Sequence, residues 1–220
     1  MRIGVIQASS QKGKNEILFD NTKKYATGHE ITNFGCTNSD MDTYSYVEIA
    51  VMIGILIGSQ ALDFIITGCS SGQGMMLACN SMPSVICGYA PTPRDAYLFA
   101  QINNGNAISL PLGEDYTWAG EENLRKTIEV LFSEPFGQGY PKEESERKLR
   151  DTLLFKEIRR KSQIETVSLL CNIDRAIADH VLRKTNVTDF VLKNGTNEEV
   201  VQWITRNISC CRKHEISMDY

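Results

Sequence analysis

The residues best suited to chemistry lie in the run Ile65-Ile66-Thr67-Gly68-Cys69-Ser70-Ser71-Gly72-Gln73-Gly74. Two β-branched residues lead into a glycine-rich turn, and Met75-Met76-Leu77-Ala78 follows as the start of a helix. A strand that runs through a tight turn to a helix N-terminus presents backbone N–H groups and a positive dipole end to an anion. Cys69 sits inside that turn, where such a field favours the reactive thiolate. The expectation is proton transfer or nucleophilic catalysis by Cys69. Ser71 and the amides of Ser70, Gly72, Gln73 and Gly74 would hold a developing oxyanion. Helix capping by the serines and a core role for the cysteine are the plainer alternatives.

Nucleophilic catalysis needs a base beside the thiol. The chain has three histidines, His29, His180 and His214, all distant from Cys69 in sequence, and each reads as incidental. That favours proton abstraction over acyl transfer. A second polar cluster is Ile102-Asn103-Asn104-Gly105-Asn106, whose asparagines could donate to a sugar oxyanion or simply make a turn. Lys142, Arg147 and Arg150 could bind a phosphate, as could Lys12 and Lys14 after the first strand; a solvated charged face is the alternative.

The elements around these residues alternate. Strand-like segments are read at 2–7, 30–34, 63–67, 84–89 and 107–110. Helices are read at 15–26, 42–60, 74–80, 93–101 and around Leu124, Ile128 and Leu131. This pattern implies a parallel sheet covered on both faces, with ligands bound beyond the carboxyl ends of the strands. Those ends are at 7–10, 68–74 and 89–93 and near Pro111. Beyond residue 135 the pattern turns helical. A charged helix is read at 143–161, a stripe through Leu170, Ile173, Ile177 and Val181, and a capping box at Thr196-x-x-Glu199. The expected division is an α/β domain over 1–140 and a helical C-terminal extension over 141–220.

Composition narrows the classes. With 220 residues, 42% of them hydrophobic, the chain can bury a substantial core. The net charge of −4 gives no global attraction to nucleic acid or an anionic membrane. Seven cysteines without a Cys-x-x-Cys pair, and three histidines, make a zinc site of usual spacing improbable; no metal or cofactor is expected. Met1-Arg2 runs straight into a strand-like segment, so reduced thiols and a cytoplasmic location are expected. The apolar run 49–58 is too short to span a bilayer and reads as a core helix.

Residues 63–80 (DFIITGCSSGQGMMLACN), continuing to Gly88 and Asn103-Asn-Gly-Asn106, resemble the type-B ribose-5-phosphate isomerases and the galactose-6-phosphate isomerase subunits. The resemblance covers roughly residues 1–150. It implies a Rossmann-like three-layer α/β/α sandwich with a five-stranded parallel sheet. It also implies a metal-free aldose–ketose isomerase acting on a phosphorylated sugar through an enediolate. Carried over by residue, Cys69 is the base, Ser71 holds the position of a threonine, Ser70 to Gly74 form the anion hole, and Asn103 is the first asparagine of the turn. The resemblance implies a homodimer or dimer of dimers with shared active sites, with Lys142 and Arg147 as candidate phosphate ligands. The chain departs from the family pattern where an Asp-His pair is expected, which here is Ala8-Ser9, and at the ring-opening histidine, which here is Ile102. Ser9, Ser10, Gln11 and Lys14 are the candidate substitutes, and a substrate already open-chain would need no ring-opening histidine. A non-catalytic sugar-phosphate binding or regulatory module is the alternative function.

Overall fold

A computed structural model describes residues 1–215, with the side chains of 209–215 left out of the description. The sheet has strands β1 (Arg2–Ile6), β2 (Glu30–Gly35), β3 (Phe64–Cys69), β4 (Cys87–Tyr89) and β5 (Ala107–Pro111). All pair in parallel, in the order β2-β1-β3-β5-β4. The helices are α1 (Asn15–Tyr25), α2 (Tyr46–Gly58), α3 (Gln73–Asn80), α4 (Pro93–Leu98) and α5 (Glu121–Leu131), then α6 (Ser145–Ser162), α7 (Thr166–Asn172), α8 (Arg175–Leu182), α9 (Thr185–Asn194) and α10 (Glu198–Glu215). No helix among the described residues is long and apolar enough to cross a membrane.

β3 is buried along its whole length, as a central parallel strand must be. Its side chains alternate between two apolar cores. Phe64 and Ile66 join Ile3, Val5, Leu18, Leu124 and Ile128 on the face covered by α1, α4 and α5. Ile65 joins the residues of α2 and α3 on the other face. The result is the Rossmann-like sandwich that the sequence implied.

The C-terminal helices share the second core. Leu170, Val181, Val191, Val200 and Ile204 belong to the same buried cluster as Ile49, Ile53 and Ile57. Helix α2 is therefore covered on one side by the sheet and on the other by α7, α8 and α9. This explains why its residues Ile49 to Gly58 are all buried and why it lacks a polar face.

Several boundaries differ from those read in sequence. Helix α2 starts at Tyr46 rather than residue 42, because Ser45 and Glu48 form a capping box. The segment before it is tied to the loop after β1: the Ser9 N–H donates to the Tyr44 carbonyl at 3.0 Å, and the Tyr44 N–H donates to Ser9 Oγ at 2.7 Å. The fourth strand is only Cys87–Tyr89. The Asn106 side chain takes the Ile86 N–H at 2.7 Å and donates to the Ser84 carbonyl at 2.8 Å, so that backbone is committed elsewhere. Asn106 is thus a turn residue rather than a ligand-binding one. Helix α4 opens as expected with Pro93 in its first turn, under a Thr92–Asp95 capping box. It then widens into a π-helical turn, Phe99–Asn103. The stripe 170–181 belongs to two helices, because Asp174 caps α8 by accepting from the Ala176 N–H at 2.8 Å. Thr196 does not cap α10: its hydroxyl donates to Gln60 Oε1, and Asn197 accepts the Glu199 N–H at 3.2 Å instead.

Candidate active site

The chain moves from β1 outward to β2 on one side, and β3 flanks β1 on the other. The carboxyl ends of β1 and β3 therefore border the crevice where parallel sheets bind ligands. A cavity of about 790 Å³ opens there, lined by Ala8, Ser9 and Ser10 after β1 and by Cys69, Ser70, Ser71 and Gly74 after β3. The sequence placed most of these residues at the site, and the fold brings them together.

Cys69 ends β3 opposite Pro111 of β5 and is 7% exposed. Its carbonyl accepts the Leu112 N–H at 3.0 Å, and that of Ser70 accepts the Gly113 N–H at 2.9 Å, so the turn is pinned to the chain leaving β5. The Ser70 hydroxyl accepts from Gln11 Nε2 at 3.0 Å, tying the turn to the loop after β1. Gly72 then reverses the chain at φ +74 and serves as N-cap of α3. Ser109 Oγ donates to its carbonyl at 2.6 Å. No side chain caps α3, so neither serine takes that role. The first-turn amides of α3 have no partner within the helix and border the cavity at Gly74.

The rest of the lining was not singled out in the sequence. It consists of Thr43, Tyr44, Ser45, Tyr46, Glu48 and Tyr116. Glu48 Oε2 accepts the Ser45 N–H at 2.8 Å, and Oε1 lies 2.5 Å from Nδ1 of His180 on α8. The imidazole stacks on Tyr44, with centroids 4.6 Å apart. Burial pushes the Glu48 carboxyl up, but hydrogen bonds from His180 and Ser45 outweigh it and hold the group below its ordinary range. Burial, with help from Asp42, pushes the Tyr44 hydroxyl up. His180 is outside the lining of the Cys69 cavity and reaches it only through Glu48. The Ser45-x-x-Glu48 box was a legible signal for Glu48; nothing local marks His180. His29 sits instead beside the N-terminal amine, and His214 lies outside the described side chains.

Other residues picked from sequence do not reach this cavity within one chain. Gln73 is exposed, and its side chain is absent from the lining. Lys14 ion-pairs with Glu114 at 2.8 Å and lies over the Trp118 ring. Asn103 lines a second cavity of about 510 Å³, with Cys87, Tyr89, Asp95, Phe155 and Arg159. Lys142 lies in a 3-10 turn before α6, and Arg147 on that helix pairs with Glu144 of the turn and with Asp151. Helix α6 packs on the π-helical turn, where Thr152 Oγ1 donates to the Ile102 carbonyl at 2.7 Å. The Cys69 cavity has no lysine, arginine or histidine in its lining among the described residues.

Residues 3–149 match the model of the Ribose/Galactose Isomerase family. The chain belongs to this family. Two solved structures are similar over nearly its whole length. One is a 4-deoxy-L-threo-5-hexosulose-uronate ketol-isomerase complexed with a tartrate: 36% identity, 94% of this chain and 98% of that one covered, TM-score 0.88. The other is a ribose-5-phosphate isomerase from Vibrio parahaemolyticus: 32% identity, 94% and 98% covered, TM-score 0.87. Coverage of 94% takes in the helices beyond residue 149, so both relatives share the C-terminal helices as well. The type B ribose 5-phosphate isomerase of Trypanosoma cruzi is 19% identical, covers 73% of this chain with 99% of its own, and has a TM-score of 0.60, which shows a common fold. Comparison with curated proteins gave no match. The chain is thus a sugar isomerase by family.

Proposed function

We propose that this protein is an aldose–ketose isomerase of an acidic, open-chain sugar, with Cys69 as the base at carbon. The observation that carries this reading is the placement of Cys69 at the end of β3. There its cavity is shared with Ser70, Ser71 and Gly74 at the uncapped start of α3. In the reaction the Cys69 thiolate takes the proton from the hydroxyl-bearing carbon. The electron pair forms an enediolate, and the proton returns to the former carbonyl carbon. The first-turn amides of α3 and the Ser71 hydroxyl stabilise the charge that develops on oxygen. A reducing compartment such as the cytoplasm suits a chemistry that needs Cys69 as a free thiol.

Two features favour an open-chain uronate over a phosphorylated ring sugar. The first is the absence of the ring-opening machinery: Ile102 stands where the resemblance expects the ring-opening histidine, and the cavity lining holds no histidine among the described residues. The second is the 36% identity to an enzyme whose name specifies a hexosulose uronate. The phosphate reading is supported by the 32% identity to a ribose-5-phosphate isomerase. It requires Asn103, Lys142 and Arg147 to reach Cys69 from a second copy in a homodimer. A homodimer that sets the second cavity of one protomer beside the first of its partner would share its active sites.

The test is isomerisation of 4-deoxy-L-threo-5-hexosulose uronate and of ribose 5-phosphate by the wild type and by Cys69→Ala. The uronate is the better substrate, and the variant loses ~10²–10⁴-fold in turnover together with exchange of the carbon-bound hydrogen in D2O. Wild-type exchange in Cys69→Ala defeats the base assignment; a preference for ribose 5-phosphate transfers the substrate to the phosphate reading.

A further inference from the structure

Aldose–ketose isomerisation relocates two hydrogens. One moves between carbons, the other between oxygens, and a single thiolate carries only the first. We propose that Glu48, held in place by His180 from the C-terminal helices, is the acid/base that carries the oxygen-bound proton. This rests on the isomerase reading with Cys69 as carbon base.

The geometry supports a distinct role for each group. Glu48 lines the same cavity as Cys69, and its side chain is 17% exposed. Each carboxylate oxygen is anchored by one hydrogen bond, Oε1 by His180 and Oε2 by the Ser45 N–H. Two anchors fix the plane of the carboxylate and leave lone pairs for a substrate hydroxyl. Among the other ionisable lining groups, Cys69 is assigned to carbon. Of the tyrosines, the buried Tyr44 hydroxyl is raised away from neutrality and donates to Asp42 at 3.4 Å.

His180 is a positioning residue. Facing an ionised carboxylate at 2.5 Å, Nδ1 carries the hydrogen and donates it. Stacking on Tyr44 fixes the ring plane, and Val181 next to it is buried in the core shared with α2. The helices that follow the family domain thus hold the second acid/base group in register with the first. This offers an account of how the chain works with Ser9 and Ile102 at the positions where the resemblance expects histidines.

The proton balance closes without any outside reagent. Cys69 removes the C–H proton, and the carbonyl oxygen becomes the enediolate oxygen. Glu48 accepts the proton of the neighbouring hydroxyl as that C–O bond becomes C=O, then delivers it to the former carbonyl oxygen. Cys69 returns its proton to the former carbonyl carbon. One double bond has shifted, and both groups end as they began.

The experiment compares net turnover with hydrogen exchange in D2O, using whichever of the uronate and ribose 5-phosphate the wild type isomerises. Glu48→Gln keeps the size of the side chain and an acceptor for Ser45. It loses ~10²–10⁴-fold in turnover, while Cys69-dependent exchange at the substrate carbon stays within about threefold. His180→Ala lowers kcat about tenfold at unchanged KM, and His180→Asn, which keeps a donor near Nδ1, restores most of it. Equal loss of exchange and turnover in Glu48→Gln marks a structural role and overturns the proposal. So does normal turnover in that variant, or equal defects in His180→Ala and His180→Asn. Loss of exchange belongs to Cys69→Ala alone, which separates failure of this assignment from failure of the base reading. A wild type inactive on both compounds overturns both.

Discussion

Gly72→Ala is the substitution that most directly tests how the Cys69 turn is built. Gly72 has φ +74, where an L side chain costs ~1–2 kcal/mol. An added Cβ would also lie 2.8 Å from Tyr89 Cε2, 2.9 Å from the Leu110 carbonyl carbon and 2.9 Å from the Pro111 nitrogen. The tyrosine ring can move; the last two atoms are β5 backbone and cannot yield cheaply. Adding a clash of ~1–2 kcal/mol, typical of overpacking, gives a total near 3 kcal/mol. At ~2–4 °C per kcal/mol for a chain of this size, Tm falls by roughly 6–12 °C. The strain has a specific exit. The turn must pull away from β5, which shifts the first-turn amides of α3 relative to Cys69, and losing one oxyanion donor costs ~10²–10³ in kcat. Gly13→Ala is the internal control, because nothing lies within 4 Å of its Cβ and its φ is not in the left-handed region. That control stays within about 1 kcal/mol of wild type. Urea unfolding of both variants, with kcat measured at a temperature where both remain folded, gives the answer. A Gly72→Ala protein with wild-type Tm and kcat refutes the account of the turn.

The folded-state pKa of Glu48 lies below the ordinary 4.5, so its contribution to stability is present above that pH and is lost as pH falls through the lower folded value. The stability gap between wild type and Glu48→Gln, followed by urea unfolding from pH 7 to pH 3, should therefore close on the acid side; a gap that widens contradicts the assigned hydrogen bonds. Trp203→Ala removes a side chain 8% exposed in the core shared by α2 and the C-terminal helices, and should cost ~3–5 kcal/mol in urea unfolding. A cost under 1 kcal/mol would mean that α10 is not part of that core.

The sheet was legible because β1, β3 and β5 are continuous apolar runs, and buried parallel strands leave that trace. The Cys69 turn was legible because glycine, serine and cysteine between a strand and a helix form a local signal. The rest depends on distant side chains. The fourth strand shortens because of Asn106, and the Thr196 box gives way to Asn197 because Gln60 takes the threonine hydroxyl. The Glu48–His180 pair joins residues 132 positions apart, a separation that no periodicity or spacing rule can reach. Lys142 and Arg147 were picked for charge, and the structure spends at least Arg147 on neighbours within its own helix region.

The double-sided burial of α2 has a consequence for how the protein is made. During synthesis α2 emerges well before α7, α8 and α9, the elements that cover its outer face. Until roughly 110 to 140 further residues are translated, at ~5–20 residues per second, the outer side of the apolar stretch Ile49 to Gly58 lacks its full cover. The nascent chain is then at its most aggregation-prone and offers a ready surface to chaperones. The helices that bring His180 to Glu48 are also those that end this exposure, so the step that assembles this wall of the cavity is the step that makes the chain safe from its own α2.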